Sequence, residues 1–421
     1  MIFIYRFITF FFYPILIILI FFRKLLKKED SIRYKEKIFS SYFSPDVNNK
    51  NKLIWFHAAS IGEAQSILPL IQKLNDDDKN LEFLITTITL SAGNLIEKKI
   101  TQYSNIRHRY FPLDVKFLMK KFLEKWKPML IIFVDSEIWP NLLMEIKEKK
   151  IPSAIINGRI TKKTFKRWML ISGFAKKIFN IFDLCLASSS ESKKYLEQLN
   201  AKNTKYIGNI KLAGIVNENS ITNKNENILN EKKFWCAAST HEGEEIFCLK
   251  THLNLKKNYK NIITIIIPRH INRSIKIKKL CNKMNLSAQI LNDEELIAEG
   301  KEIIIINSFG VLLEYFKYSK SVFIGKSMIK KLQKVSGQNP IEAGKLGCKI
   351  YHGPYVYNFK EIYDLFKTYK ISEEVSDENE LSKKLTIDLQ KNKESQNKIT
   401  ESINYLGKKI LDSSVKEIKK I

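Results

Sequence analysis

The chain of 421 residues has five cysteines, Cys185, Cys236, Cys248, Cys281 and Cys348, an odd total with no C-x-x-C pair. That pattern argues against a disulfide framework or a structural zinc site, and it fits a reducing compartment. The six histidines are scattered and none stands in an H-E-x-x-H arrangement, so no local metal motif is present. Acid is scarce as well: 44 Asp and Glu face 71 Lys and Arg, for a formal net charge of +27. Such a surplus favours anionic partners, and phosphorylated lipid, a nucleotide sugar and nucleic acid all qualify. The basic residues are dispersed rather than gathered into a groove with stacking aromatics, which speaks against nucleic acid.

What the chain does have is an apolar start. Residues 1–22, MIFIYRFITFFFYPILIILIFF, carry a single charge, Arg6, and are followed by Arg23, Lys24, Lys27 and Lys28. About 20 residues at 1.5 Å each suffice to cross the hydrocarbon core of a bilayer. The basic cluster follows the apolar run and no A-x-A-like cleavage site is present, so the segment reads as an anchor rather than a signal peptide. The expectation is an N-terminal transmembrane helix over 1–24, with Pro14 as a possible kink and the body on the cytoplasmic side. A helix lying in the interface is the other reading.

From residue 52 onward, short β-rich runs alternate with amphipathic stretches, the signature of βαβ units on a parallel sheet. Strands are expected at 53–58, 81–87, 108–111, 129–134, 153–156 and 184–187, and again at 234–239, 261–268, 302–306, 321–325 and 348–353. The chain therefore divides into an anchor (1–24), a first parallel-sheet domain (25–212), a polar linker (213–233), a second parallel-sheet domain (234–370) and a charged helical tail (371–421) that either packs back on the first domain or is solvated. Two such domains facing one another create a cleft outside the carboxyl ends of both sheets, where parallel sheets bind ligands.

Several strand-end loops carry polar residues suited to chemistry. In HAASIGEAQ (57–65), Ser60 and Glu63 have the spacing of a capping box, and Glu63 also suits a general base at the mouth of a cleft. In VDSEIWPNL (134–142), Asp135 and Glu137 follow an apolar strand, either as local caps or to fix a cation or hydroxyl. NGRITKKTFKRW (157–168) contributes Arg159 and Lys162, on a solvated basic helix face or against phosphates of an acceptor or of membrane lipid. Residues 118–127 and 165–179 mix bulky apolar and basic residues, as membrane-surface segments and sheet-edge core helices both do.

In the second half, Ser239, Thr240 and Gly243 of ASTHEGEE can offer hydroxyls and helix N-terminal donors to a phosphate. Arg269 and His270 end IIPRH, where the guanidinium can make a two-pronged contact with a phosphate or carboxylate. NSFG (307–310) supplies Phe309 and Gly310, and GQNPIEAGKLG (337–347) supplies Asn339 and Glu342, whose carboxylate could accept two ribose hydroxyls. Four such loops at successive strand ends describe a nucleotide site.

With these motifs in place, the chain resembles the Kdo transferases of lipopolysaccharide synthesis. The markers are HAASIGEAQ, TTITLSAG (86–93), YFPLDV (110–115), VDSEIWPNL, INGRIT (156–161), IGNIKLA (207–213), STHEGEE, IIPRH, NPIEAGKLG and GPYVYNF (353–359). The resemblance implies a GT-B fold of two Rossmann-like domains on a membrane anchor, in the bacterial inner membrane with the catalytic domains facing the cytoplasm. It further implies inverting transfer of Kdo from CMP-Kdo to a lipid A precursor, with Glu63 as base. Ser60, Glu137, Arg159 and Lys162 would support the acceptor side. Ser239, Thr240, Arg269, Phe309, Gly310, Asn339 and Glu342 would bind CMP, with Glu342 on the ribose.

No metal, no cofactor, no nucleic acid and no obligate protein partner is expected; the implied partners are CMP-Kdo, the lipid A precursor and the membrane surface. The chain departs from the family where Gln338 replaces the usual His, Lys326 the usual Gly and Ala343 the usual Pro. Asn307 stands for a more frequent acidic residue and Val311 for a usual Glu. The nearest rival is another GT-B transferase using a UDP-sugar and a lipid acceptor; a scaffold would have no use for so many polar strand-end loops.

Overall fold

Runs of β-branched, leucine and aromatic residues become strands where both of their faces can be covered. The computed structural model describes residues 1–44, 52–214, 216–392 and 394–421, so Ile215 of the expected linker lies outside the described residues. The first sheet comprises β1 (Lys52–His57), β2 (Leu81–Thr87), β3 (Ile106–Tyr110), β4 (Leu130–Val134), β5 (Ser153–Gly158), β6 (Leu184–Ala187) and β7 (Thr204–Tyr206). These strands pair in the order β3-β2-β1-β4-β5-β6-β7, every neighbour parallel. All of β2 and β4 is buried, whereas β3, at the sheet edge, alternates buried and half-buried residues.

Successive side chains of a strand point to opposite faces, and the core divides accordingly. Leu53, Trp55, Ile131 and Phe133 pack with Phe122 and Trp126 on one face, while Ile54, Phe56, Ile132 and Val134 pack with Ile67, Leu70 and Ile71 on the other. The helices that supply these layers are α3 (Ile61–Asp77), α4 (Leu90–Ile100), α5 (Lys116–Trp126), α6 (Pro140–Lys149), α7 (Lys162–Met169), α8 (Ser172–Phe179) and α9 (Ser190–Gln198), preceded by α1 (Ile2–Phe11) and α2 (Tyr13–Leu25).

The second sheet comprises β8 (Phe234–Thr240), β9 (Ile263–Pro268), β10 (Ala288–Leu291), β11 (Ile303–Ile306), β12 (Ser321–Ile324), β13 (Lys349–His352) and β14 (Ser372–Glu374), again all parallel, in the order β10-β11-β9-β8-β12-β13-β14. With it go α10 (Glu226–Glu231), α11 (Glu244–Lys256), α12 (Ser274–Lys283), α13 (Leu312–Phe316), α14 (Ile341–Lys345), α15 (Lys360–Thr368), α16 (Glu378–Asp388) and the long α17 (Glu394–Ile418). Two compact units result: Met1–Gly214 with Leu406–Ile421, and Ile215–Tyr405. The end of α17 thus belongs to the first unit, where Val415 and Ile418 join the core beside Ile67 and Leu70.

Several expectations are corrected. Among the described residues no single helix is long and apolar enough to cross a membrane, because the apolar start is broken into α1 and α2, bent by 53°. Pro14 lies in the first turn of α2 and has no N–H to give to the preceding turn, so the hydrogen-bond ladder restarts there. The pair passes the same test only together, as a bent span or a re-entrant segment.

The polar side chains of this stretch all turn back to the first unit. The Tyr5 hydroxyl donates to Asp114 at 2.9 Å, Arg6 lies 3.3 Å from both Glu145 and Glu148, Thr9 accepts from Asn141 at 3.1 Å, and Tyr13 donates to the Ile38 carbonyl.

The amphipathic stretch between β5 and β6 forms two helices, α7 and α8. The expected linker contains α10 and a 3-10 turn at Glu218–Ser220, and the expected helical tail opens with β14. Strands β7, β10 and β14 carry polar residues among only three or four positions (TKY, AQIL, SEE), so no apolar run announces them.

Gly407 lets α17 approach the first unit, since a Cβ there would run into the Leu212 backbone and lie 3.1 Å from the Ala213 Cα. Gly407→Ala should lower the urea midpoint, overpacking of about 1–3 kcal/mol outweighing a helix-propensity gain of about 0.5–1 kcal/mol. An unchanged or raised midpoint would show that the contact relaxes without cost.

Candidate functional site

In the first sheet the strand order reverses between β1 and β4, and the carboxyl ends of parallel strands at such a point leave a crevice for ligands. Three carboxylates sit there. Glu63 stands in the first turn of α3, which Ser60 caps: the Ser60 hydroxyl donates to Glu63 Oε1 at 2.8 Å, and the Ala59 N–H donates to Oε2 at 2.8 Å. The capping geometry therefore forms, and it holds the carboxylate rather than consuming it. Burial pushes the Glu63 carboxyl above the usual range; the Ser60 hydroxyl opposes this, and the nearby charges of Asp135 and Glu137 add to it.

Asp135 follows β4 in a left-handed conformation (φ 62°), which a short polar side chain tolerates better than most. Burial raises its carboxyl, against which Lys211, 3.6 Å away, and Arg159 work. Lys211 arrives by a specific route. Asn157 at the end of β5 also adopts φ 54°, and its side-chain oxygen accepts from the Ile210 N–H at 3.1 Å, drawing the IGNIKLA segment to the INGRIT turn.

Glu137 is reached through the core. His57, the last residue of β1, is fully buried, hydrogen-bonds Thr86 at 2.9 Å and accepts from Trp139 Nε1 at 3.1 Å. The same indole N–H lies 3.1 Å from Glu137 Oε2. Burial keeps the His57 pKa low despite Glu137, so the ring is neutral and serves as an acceptor. Among the residues expected on the acceptor side, Ser60, Glu63, Glu137 and Arg159 thus gather around Asp135. Lys162 is exposed at the start of α7. Sequence reasoning named IGNIKLA as a marker but left Lys211 out of the site; its signal was that motif alone.

In the second sheet the order reverses between β8 and β12. Ser239 sits in a bulge of β8 with φ 57°, and Thr240 is fully buried with its hydroxyl 3.5 Å from Glu245. Arg269, exposed at the end of β9, is tied by its N–H to the Thr240 carbonyl at 3.0 Å. His241 and His270 lie edge to face at 5.7 Å; burial lowers the His241 pKa, and Lys326, His270 and Arg269 lower it further. Four groups able to bear positive charge therefore share one edge of this sheet.

Asn339 accepts from the Ile341 N–H at 3.1 Å, an Asx turn that leads into α14. Glu342 is half-buried; burial raises its carboxyl and Lys345 opposes this, while Lys345 itself is pulled down to about 8 by burial. Phe309 is 69% exposed and Gly310, at φ 83°, has open space where a Cβ would be. Their turn follows β11, and its Asn307 accepts from the Ser274 hydroxyl at the start of α12 at 3.0 Å, but no hydrogen bond or ion pair joins Phe309 or Gly310 to Arg269 or Glu342 among the described residues. No group of three or more His, Cys, Asp or Glu among the described residues is placed to hold a metal ion.

A family model described as 3-Deoxy-D-manno-octulosonic-acid transferase (kdotransferase) matches residues 33–213. The 3-deoxy-D-manno-octulosonic acid transferase of Rickettsia bellii is 32% identical over 353 residues, spanning 83% of this chain and 82% of that one. The chain belongs to the Kdo transferase family. The Haemophilus influenzae member is 29% identical over 316 residues, 74% of this chain and 72% of its own. In fold, the chain resembles the UDP-GlcNAc 2-epimerase of Neisseria meningitidis bound to UDP-GlcNAc, with TM-score 0.59 and 12% identity over 87% of this chain and 100% of that one. Family membership makes the chain a glycosyltransferase of lipopolysaccharide synthesis that transfers Kdo.

Because Lys211 holds the Asp135 carboxyl down against burial, Lys211→Met should move that pKa further up. A carbon-detected NMR titration of labelled aspartate reads this directly; an unmoved Asp135 resonance would mean that the ammonium is not its partner in solution.

Proposed function

We propose that this Kdo transferase takes Kdo from CMP-Kdo and places it on a hydroxyl of a lipid A precursor by a single inverting displacement. The observation that carries the reading is Glu63: a carboxylate at the switch point of the first sheet, held by Ser60 and the Ala59 N–H, with its pKa raised toward that of a useful base. In the reaction the acceptor oxygen attacks the anomeric carbon of Kdo while Glu63 takes its proton. The bond from that carbon to the CMP phosphate oxygen breaks, and CMP leaves with the electron pair. Glu137, fixed by Trp139, orients the acceptor, and Arg159 and Lys162 supply charge for its phosphates.

On the donor side, Arg269, with His241, His270 and Lys326 close by, supports phosphate binding in the second unit, where fixed cations stabilise the leaving group. Ser239 and Thr240 at the β8 end, the open turn at Phe309 and Gly310, and Asn339 complete the nucleotide set. Glu342 accepts the ribose hydroxyls. All of this chemistry comes from the chain's own side chains and backbone.

The α1–α2 pair anchors the enzyme to the membrane that holds its acceptor. Its apolar side chains face outward, with Phe3 80%, Phe7 69% and Phe10 66% exposed, while its polar ones are bound to the first unit. Lys24, Lys27 and Lys28 at its end suit anionic headgroups. Replacing Phe3, Phe7 and Phe10 together by Ser removes burial of about 1.5–3 kcal/mol each. Co-sedimentation with phosphatidylethanolamine–phosphatidylglycerol vesicles should fall at least tenfold, and undiminished binding would remove the helix pair from the anchor.

The deciding assay incubates detergent-solubilised protein with a tetraacylated, bisphosphorylated lipid A precursor and a CMP-Kdo-generating system, with UDP-sugars as competing donors. Mass increments of Kdo size are expected from CMP-Kdo alone, and Glu63→Gln should lose roughly 10²–10⁴ in kcat. Since base action needs the ionised carboxylate, kcat/KM should rise with pH through a midpoint above the ordinary Glu range. Glu137→Gln should move that midpoint down, because it removes a charge that raises it. A product formed from a UDP-sugar, or an undiminished Glu63→Gln, would overturn the reading.

A further inference from the structure

Glu244 opens α11 at the switch point of the second sheet and is 1% exposed. Its Oε2 accepts from the N–H groups of His241 at 2.9 Å and Lys326 at 2.7 Å; its Oε1 accepts from Ser327 at 2.8 Å and Met328 at 3.0 Å. A carboxylate in the first turn of a helix ordinarily serves its own N-terminus. Here three of the four donors belong to the loop after β12, more than eighty residues along the chain. The two loops lie in contact: a Cβ on Gly325 would meet the Ser239 carbonyl at 2.7 Å and Glu244 Oε2 at 2.8 Å.

The loop so held is itself a junction. The Lys326 carbonyl accepts from Gly337, which opens the GQNPIEAG segment, at 2.8 Å. The Ser327 hydroxyl accepts from Gly353 and the Ser327 carbonyl from Tyr355, both at 2.9 Å, which ties in GPYVYNF. Lys326 sits at φ 58°, the left-handed region that a side chain with a Cβ enters only when its surroundings compel it. The N–H of this strained residue makes the 2.7 Å bond to Glu244. Its side chain is half-buried and close enough to His241 to lower that ring's pKa, alongside Arg269 and His270.

We propose that Glu244 is a positioning residue for the donor: it compels the left-handed turn at Lys326 and thereby directs the Lys326 ammonium at the phosphate of the bound nucleotide. Glu244 touches no ligand and acts through four backbone N–H groups. The inference rests on the reading that the second unit binds the CMP part of the donor, and it adds to that reading both a phosphate contact of this chain's own and the group that holds it.

The test measures binding of CMP and of cytidine, which lacks the phosphate, to the full-length protein in detergent by isothermal titration and competition. Wild type, Glu244→Gln, Lys326→Met and the double variant are compared. Glu244→Gln keeps the shape but turns an NH₂ toward N–H groups that the carboxylate had accepted. It should weaken CMP at least tenfold and leave cytidine within twofold. Lys326→Met should weaken CMP similarly, and the double variant should be no weaker than the worse single one, since both act through the same ammonium.

Equal loss of CMP and cytidine in Glu244→Gln would reduce Glu244 to a structural prop and overturn the proposal, as would additive losses. Lys326→Met binding CMP as wild type does would overturn it even if Glu244→Gln does not fold. Wild type that binds neither ligand would overturn the donor reading itself, and the inference with it.

Discussion

Both sheets are entirely parallel, and that constraint arranges everything else. A parallel strand must be covered on both faces, so β2, β4, β5 and β9 are buried throughout and have no side from which to present chemistry. Polar function is therefore displaced to the carboxyl ends of the strands. There the reversals of order, between β1 and β4 and between β8 and β12, keep adjacent loops from covering one another. Glu63, Asp135 and Glu137 occupy the first such place; Ser239, Thr240 and Lys326 occupy the second.

At each place a carboxylate organises backbone, but at different range. Glu63 is held by Ser60 and Ala59, its immediate chain neighbours, so its cap is local and leaves the group available for proton transfer. Glu244 accepts mainly from a distant loop, with all four of its bonds to backbone N–H groups, and is buried too deeply for that work. Exposure separates the proposed base from the brace even though both stand in the first turn of a helix. Around Glu63, burial and two like charges raise the carboxyl, while Lys211 and Arg159 act to lower that of Asp135.

The N-terminal pair inverts the usual amphipathic rule. In a water-exposed helix the polar face points outward; here Tyr5, Arg6, Thr9 and Tyr13 point inward, to Asp114, Glu145, Asn141 and the Ile38 carbonyl. The polar groups are satisfied by protein, and apolar ones such as Phe3, Phe7 and Phe10 are exposed. Asp114 carries much of this join, since it also accepts the N–H groups of Asn141 and Leu142 at the start of α6 at 3.0 and 2.9 Å.

Much of this was legible in the sequence. Alternating apolar runs and amphipathic stretches announced two parallel-sheet α/β domains, since period and length are local properties of the chain, and the Ser60–Glu63 spacing announced a cap. The order of short motifs announced a Kdo transferase. Tertiary contacts alone decided the rest, because they join residues the chain keeps far apart. Lys211 reaches Asp135 only through the hydrogen bond from Ile210 to Asn157; Glu244 meets Lys326 only because β8 and β12 are neighbours; and a three-residue strand such as β14 exists only because β13 offers it an edge. The apolar start shows the same division: its composition was plain in the residues, but whether it formed one helix or two depended on Pro14 and on which polar groups of the first unit its side chains could reach.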